Sequence, residues 1–342
     1  MTRKSFSKLL RIGVGLIISV LFLWLVFRQI DIGEVWRALQ DLDIIWVVPA
    51  IFVYFAGVWV RTTRWCVLMR PVKRSSTSRF FPIYIISYMA NNILPMRIGD
   101  LYRAYIVGKK EKVSKGASLV TIAVERIFDG LTMLLLLLVS VMLFPIKHEA
   151  VRQAVQIGSV LFLSAIVGCY ILLLRRVWAE RLIEWILKIR WLGKYHDRIK
   201  DVFDNLFKGL DSLRGVSDIL MVTGLSLATW LIEAASYYLV LNAFGFFGPF
   251  HVAVATMALV NLMIIVPAAP GYFGPFELAC FIILGNKGYG QLTGFTEDIA
   301  AAYALVLHVI VQWIPSTLLG LIYMWTEHVS FREIETEPIA NE

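Results

Sequence analysis

The feature that most limits what this 342-residue chain can fold into is a series of apolar runs close to twenty residues long. A hydrocarbon core about 30 Å thick is crossed by roughly 20 apolar residues in helical conformation. On that measure, full-length spans are expected at about 11–27, 43–60, 118–143, 155–174, 217–243 and 299–325. With 58% of residues hydrophobic and 17% charged, the chain has more apolar surface than a water-soluble core could hide. The expected fold class is an all-α, polytopic transmembrane helical bundle. The first run follows Arg3, Lys4, Lys8 and Arg11 but has no small-residue cleavage site, so it reads as a retained span and not as a secretory signal.

Two further apolar stretches are too long for connections and too interrupted for single helices. Phe80 to Val107 contains Asn91, Asn92, Pro95, Arg97, Gly99 and Asp100; His251 to Leu284 contains Asn261, Pro267, Pro270, Gly271, Gly274 and Glu277. Proline removes a backbone donor and glycine permits reversals, so both read as re-entrant helical hairpins, at about 80–108 and 251–285. Pro95, Gly99, Pro267, Pro270, Gly271 and Gly274 would shape their turns. Irregular backbone at membrane depth survives only where protein or a watery cavity satisfies it.

Orientation follows from the positive-inside rule. With a cytoplasmic N-terminus and both hairpins re-entrant, the inside loops hold 27 Lys and Arg and the outside loops 5. Both termini are then cytoplasmic, and the hairpins enter from opposite sides, each followed by a full span. The chain reads as one integral membrane domain, 1–342, with halves 1–143 and 155–325 related as an inverted repeat and a short tail, 326–342. Interrupted segments in corresponding positions of two halves point to a transporter's binding site. The inside loop 175–215 mixes Trp178, Trp185 and Trp191 with Arg181, Lys188, Arg190 and Lys194, which suits an amphipathic helix on an anionic leaflet.

The densest polar constellation is Asn91, Asn92, Arg97, Asp100 and Arg103, followed by Glu125, Arg126 and Asp129 on one helix face. Charges at membrane depth require partners. The set is therefore either an internal ion-pair network fixing the hairpin or an anion site in which an arginine fork holds a phosphate. Glu277, in the first turn of the second hairpin's returning arm, is either a helix cap or a transport and proton-coupling group. His308 shares a face with Gln312, and Glu233 with Tyr237; His308 is either a packing residue or part of a proton path, and a Glu233 left unpaired would be held protonated by burial. Cys66, Cys169 and Cys280 lack any paired spacing and read as buried thiols. No motif for a cofactor, a metal or a catalytic nucleophile is present, so no cofactor, metal ligand or catalytic residue is expected. The net charge of +8 is dispersed beside spans, so membrane topology accounts for it and no nucleic-acid partner is expected.

The stretch Asn91-Asn92-Ile93-Leu94-Pro95-Met96-Arg97-Ile98-Gly99-Asp100-Leu101-Tyr102-Arg103, with Glu125-Arg126-Ile127-Phe128-Asp129 after it, resembles the hallmark of the lysylphosphatidylglycerol synthase transmembrane-region family of flippase-like membrane proteins. Pro267 to Glu277 resembles that family's second glycine-rich element. The resemblance implies a membrane region that moves lipid across the bilayer, here without the soluble synthase domain that the tail after 325 is too short to hold. It implies an anionic polyprenyl-phosphate-linked lipid or phospholipid as substrate, residence in the inner (plasma) membrane, and envelope or glycan biosynthesis proteins as partners. Where the family commonly carries an arginine on the final span, this chain has His308. The rival readings are a membrane-embedded transferase with Asp100 or Glu277 as base, and a scaffold for an envelope complex.

Overall fold

The computed structural model describes residues 3–94, 98–143, 216–266, 268–286 and 288–329, with isolated positions 160 and 164, and among them every regular element is helical. Pro95, Arg97, Pro267 and Cys169, the span at 155–174 apart from 160 and 164, the loop 175–215 and the tail beyond 329 lie outside the described residues.

The elements are α1 (Arg3–Phe27), α2 (Ile32–Gln40), α3 (Ile44–Met69), α4 (Thr77–Ile93), α5 (Gly99–Glu111), α6 (Lys115–Leu143), α7 (Val216–Ala243), α8 (His251–Met263), a 3-10 turn at Pro270–Tyr272, α9 (Pro275–Leu284), a short α10 (Gly290–Thr293) and α11 (Glu297–Leu305). The last of these continues without interruption through a π-helical stretch, Val306–Trp313, into α12 (Ile314–Thr326). Local chemistry sets several of the starts. Asp31, Asp43 and Thr296 cap α2, α3 and α11 by accepting the amides of Gly33, Ile45 and Ile299. Pro275 opens α9 at a position where its missing N–H costs nothing.

Among the described residues, three helices are long and apolar enough to cross a membrane: Ile44–Met69, Ser217–Ala243 and Glu297–Thr326. The pair Gly13–Phe27 and Ile32–Gln40, bent by 82°, adds a fourth if counted as one span. The first of these helices overruns the expected 43–60 by more than two turns, carrying Arg61 and Arg64 inside the bundle and not into a loop. Hydropathy ends a run at its first charge, whereas the helix continues because each arginine finds a carboxylate.

The bundle is built on two long pairings, α3 along α7 and α4 along α12. In each interrupted stretch the two arms pack on each other, α4 on α5 and α8 on α9. Gly99 shows why the first break is so tight: a Cβ there would stand 2.0 Å from the Ser87 carbonyl oxygen. The surface is apolar, with Ile44, Ile45, Val48 and Phe52 exposed on α3 and Leu318, Ile322 and Trp325 on α12. The interior carries the charges: Arg64, Arg103, Glu125 and Asp129 are buried. A chain with apolar side chains outward and ions inward is organised for an apolar solvent.

Candidate functional site

The buried ions form one network. Arg64 on α3 donates to Asp129 Oδ1 at 2.7 Å, to Ser226 Oγ at 2.8 Å and to Glu125 Oε1 at 3.1 Å, and its side chain is fully enclosed. Arg103 on α5 is equally enclosed, 2.9 Å from Glu125 Oε2 and 3.4 Å from Asp100 Oδ1. Its guanidinium lies over the rings of Trp65, 4.6 Å away, and Tyr84, 4.3 Å away. Tyr84 also donates its hydroxyl to Glu125. Arg126 grips Asp100 with two parallel bonds, Nε to Oδ2 and Nη2 to Oδ1, both 3.1 Å, and reaches Asp129 Oδ2 at 3.2 Å. Arg64, Arg103 and Arg126 thus face Asp100, Glu125 and Asp129, and opposite charges balance one to one. Each buried ion has the close partner that burial requires.

Arg126 differs from the other two in being 42% exposed, against 0% for Arg64 and Arg103. It stands in the wall of a cavity of about 340 Å³ to which both halves of the chain contribute. The first half supplies Tyr54 and Arg61 from α3, Tyr88, Asn91 and Asn92 from α4, Asp100 from α5, and Arg126 and Asp129 from α6. The second half supplies Trp230, Glu233 and Tyr237 from α7, Asn261 from α8, Tyr272 from the second break, and His308, Gln312 and Trp313 from the π-helical stretch. Arg61 donates to Glu233 Oε2 at 2.7 Å and to the Tyr88 hydroxyl oxygen, and lies 4.4 Å over the Trp230 ring. Asn261 donates to the other Glu233 oxygen at 3.2 Å. Glu233 is therefore paired, and the expectation for an unpaired carboxyl does not apply to it.

The second break is held by side chains that satisfy its irregular backbone. Ser19 on α1 donates to the Phe273 carbonyl at 2.6 Å and accepts the Ala269 amide at 2.7 Å. Glu277 accepts the Gly274 amide with Oε2 at 2.6 Å and meets His308 Nδ1 with Oε1 at 2.6 Å. His308 Nε2 lies 2.7 Å from the Gly271 carbonyl, and the imidazole stacks on Phe276 with centroids 4.1 Å apart. Glu277 is thus the expected helix cap and, at the same time, half of a histidine–carboxylate pair.

Of the residues singled out from sequence, Asn91, Asn92, Asp100, Arg126, Asp129 and His308 line the cavity, whereas Arg103, Glu125 and Glu277 stand behind its wall. Asn91 accepts the Gly99 amide at 2.8 Å, bridging the first break, and Asn92 donates to Ser316 and Thr317 at 3.0 and 2.9 Å, fastening α4 to α12. Sequence reasoning missed Arg61 and Arg64. Their signal was a pair of arginines three residues apart at the end of an apolar run, in a chain whose Glu233, on another span, lacked an evident counter-charge. Among the described residues no group of three or more His, Cys, Asp or Glu is placed to hold a metal ion.

The family model described as the lysylphosphatidylglycerol synthase TM region matches residues 12–320. Among curated relatives, two UPF0104 membrane proteins of Methanothermobacter thermautotrophicus are 24% and 26% identical to the chain. Each alignment covers 90% of this chain, with 93% and 90% of the respective relative. Glycosyltransferase AglD of Haloferax volcanii is 24% identical over 90% of this chain but only 53% of its own length. No solved structure matches the chain.

Proposed function

We propose, for a chain that belongs to the lysylphosphatidylglycerol synthase transmembrane-region family and is an integral membrane protein, that it binds the anionic head group of a lipid in the central cavity and moves it between leaflets. The observation that carries this reading is Arg126. It is the one arginine of the network that reaches the cavity, and it already holds a carboxylate in the two-bond geometry that a phosphate would adopt. A head-group phosphate would displace Asp100 from Arg126, while Arg103 keeps Asp100 compensated. Arg61 Nε and Trp313 Nε1, both on cavity-lining residues, are buried without an acceptor among the described residues, which suits a ligand rich in oxygen. A volume of about 340 Å³ fits a head group and leaves acyl or isoprenoid tails in the bilayer.

In this reading the two interrupted segments are re-entrant hairpins of an inverted repeat, and alternating exposure of their tips gives access from either side. Removing the paired Arg61, Arg64 and Arg103 from the loop tally leaves 24 positive residues inside against 5 outside, so cytoplasmic termini in the inner membrane remain the favoured arrangement.

The test is head-group translocation in proteoliposomes with tagged anionic phospholipids and polyprenyl phosphates. Wild-type movement that is lost in Arg126→Ala, with folding intact because that side chain is half exposed, is the expected result. Failure of folded wild type to move any of these lipids would overturn the reading. The likeness to AglD favours a second one, a role in building lipid-linked glycans. Asp100 and Glu277 fit poorly as catalytic bases for it, because Asp100 is held by arginines and both Glu277 oxygens are engaged. Sugar transfer from a nucleotide sugar to a polyprenyl phosphate by the purified chain would establish that role.

A further inference from the structure

The contacts of His308 fix where its protons are. The Gly271 carbonyl oxygen can only accept, so Nε2, 2.7 Å away, carries a hydrogen and donates it. Nδ1 then faces Glu277 Oε1 at 2.6 Å across a gap that holds one proton, written either as imidazolium with carboxylate or as imidazole with carboxylic acid. Without that proton a ring lone pair would confront a carboxylate lone pair at hydrogen-bond distance, and the contact would become repulsive.

Both partners sit on backbone that is already irregular. His308 lies in the π-helical stretch of the final helix, a geometry found mostly as short insertions within α-helices and frequently at functional sites. Glu277 and Gly271 flank a turn in which Gly271, Tyr272 and Gly274 all have positive φ, 75°, 64° and 100°. The His308 contacts with Gly271 and Glu277 clamp the second break to the final helix, and His308 and Tyr272 both line the cavity. The titratable groups lining the same cavity as His308 are Tyr54 and Arg61 on α3, Tyr88 on α4, Asp100 on α5, Arg126 and Asp129 on α6, Glu233 and Tyr237 on α7 and Tyr272 at the break. Cys280 shares α9 with Glu277, and Tyr303, Glu297 and Asp298 lie on α11. Glu233 and Arg61 neutralise each other, and Glu297 and Asp298 bond Asn286 and the Asp31 amide.

We propose that His308 and Glu277 form a proton-binding site, and that loss of the shared proton to water entering the cavity releases the second break from the final helix. Head-group movement is thereby coupled to a proton. The coupling rests on the transport reading above, whereas the proton site does not.

Infrared difference spectra of the reconstituted full chain between about pH 5 and pH 9, a window that brackets histidine titration, test the site directly. A carboxyl signal present in wild type and absent in Glu277→Gln is expected, and His308→Gln is expected to remove it too, which serves if the first variant does not fold. A wild-type signal that persists in both variants overturns the site. In the lipid assay, wild-type rate is expected to change by up to about tenfold per pH unit on one side of the transition and Glu277→Gln to be flat. A variant that moves lipid with the wild-type pH profile overturns the coupling. A Glu277 signal without lipid movement at any pH sinks the transport reading and supports the proton site.

Discussion

The two halves of the cavity wall solve the same problem by opposite means. Within α3, α5 and α6 the backbone is regular helix and the difficulty is side-chain charge, met by setting Arg64, Arg103 and Arg126 against Asp100, Glu125 and Asp129. On the side of the second break the side chains carry little charge and the difficulty is unpaired backbone, met by Ser19, Glu277 and His308. Losing an enclosed member of the charge network, such as Arg64, strands the buried carboxylates it holds. A break stitched by single hydrogen bonds can give locally. The first wall is built to stay, and the second is where adjustment is inexpensive.

That contrast can be broken most severely at Arg64. Arg64→Met leaves Glu125 and Asp129 short of their enclosed counter-charge and is expected to cost about 3–5 kcal/mol, read as loss of thermally stable protein in detergent. A cost under about 1 kcal/mol would mean the network tolerates gaps. Next comes the pair joining the two walls. Arg61→Met and Glu233→Leu should each destabilise strongly, and the double variant should recover to within about 1 kcal/mol of wild type, because burying two apolar groups strands no charge. A double variant as unstable as the worse single one would show that packing, not charge, holds this contact.

At the second wall Gly271→Ala should cost about 1–3 kcal/mol, since the residue sits at φ 75° and a Cβ would lie 2.7 Å from Trp313 Nε1. An unchanged melting temperature would show that the break shifts freely. The smallest effect is expected for Asn92→Ala, about 1 kcal/mol in the same melting assay, from losing its bonds to Ser316 and Thr317. A much larger loss would place the fastening of α4 to α12 on a par with the ion network.

The legibility of each wall followed its chemistry. The breaks were readable because glycine, proline and asparagine interrupt apolar runs for reasons local to the chain: α4 ends at Ile93 and α5 begins at Gly99, within the expected first hairpin. Asp100, Glu125, Arg126 and Asp129 stood out as charges where charge is expensive. Arg61 and Arg64 did not, because a sequence window reads an arginine after an apolar run as the end of a span, and their partners lie 172 and 61–65 residues away. The π-helical stretch left no mark, being a matter of backbone phase that Val306–Trp313 does not announce in residue type. The pairing of His308 with Glu277 likewise depends on a fold that brings residues 31 apart together.

Ser19 has a consequence for the order in which the protein is made. Its hydroxyl meets backbone groups 250 and 254 residues further along the chain. At a synthesis rate of about 5–20 residues per second, the first helix leaves the ribosome on the order of ten to fifty seconds before the segment it fastens exists. Throughout that interval this helix sits in the bilayer without its mate, and assembly of the cavity waits until the second break has been made.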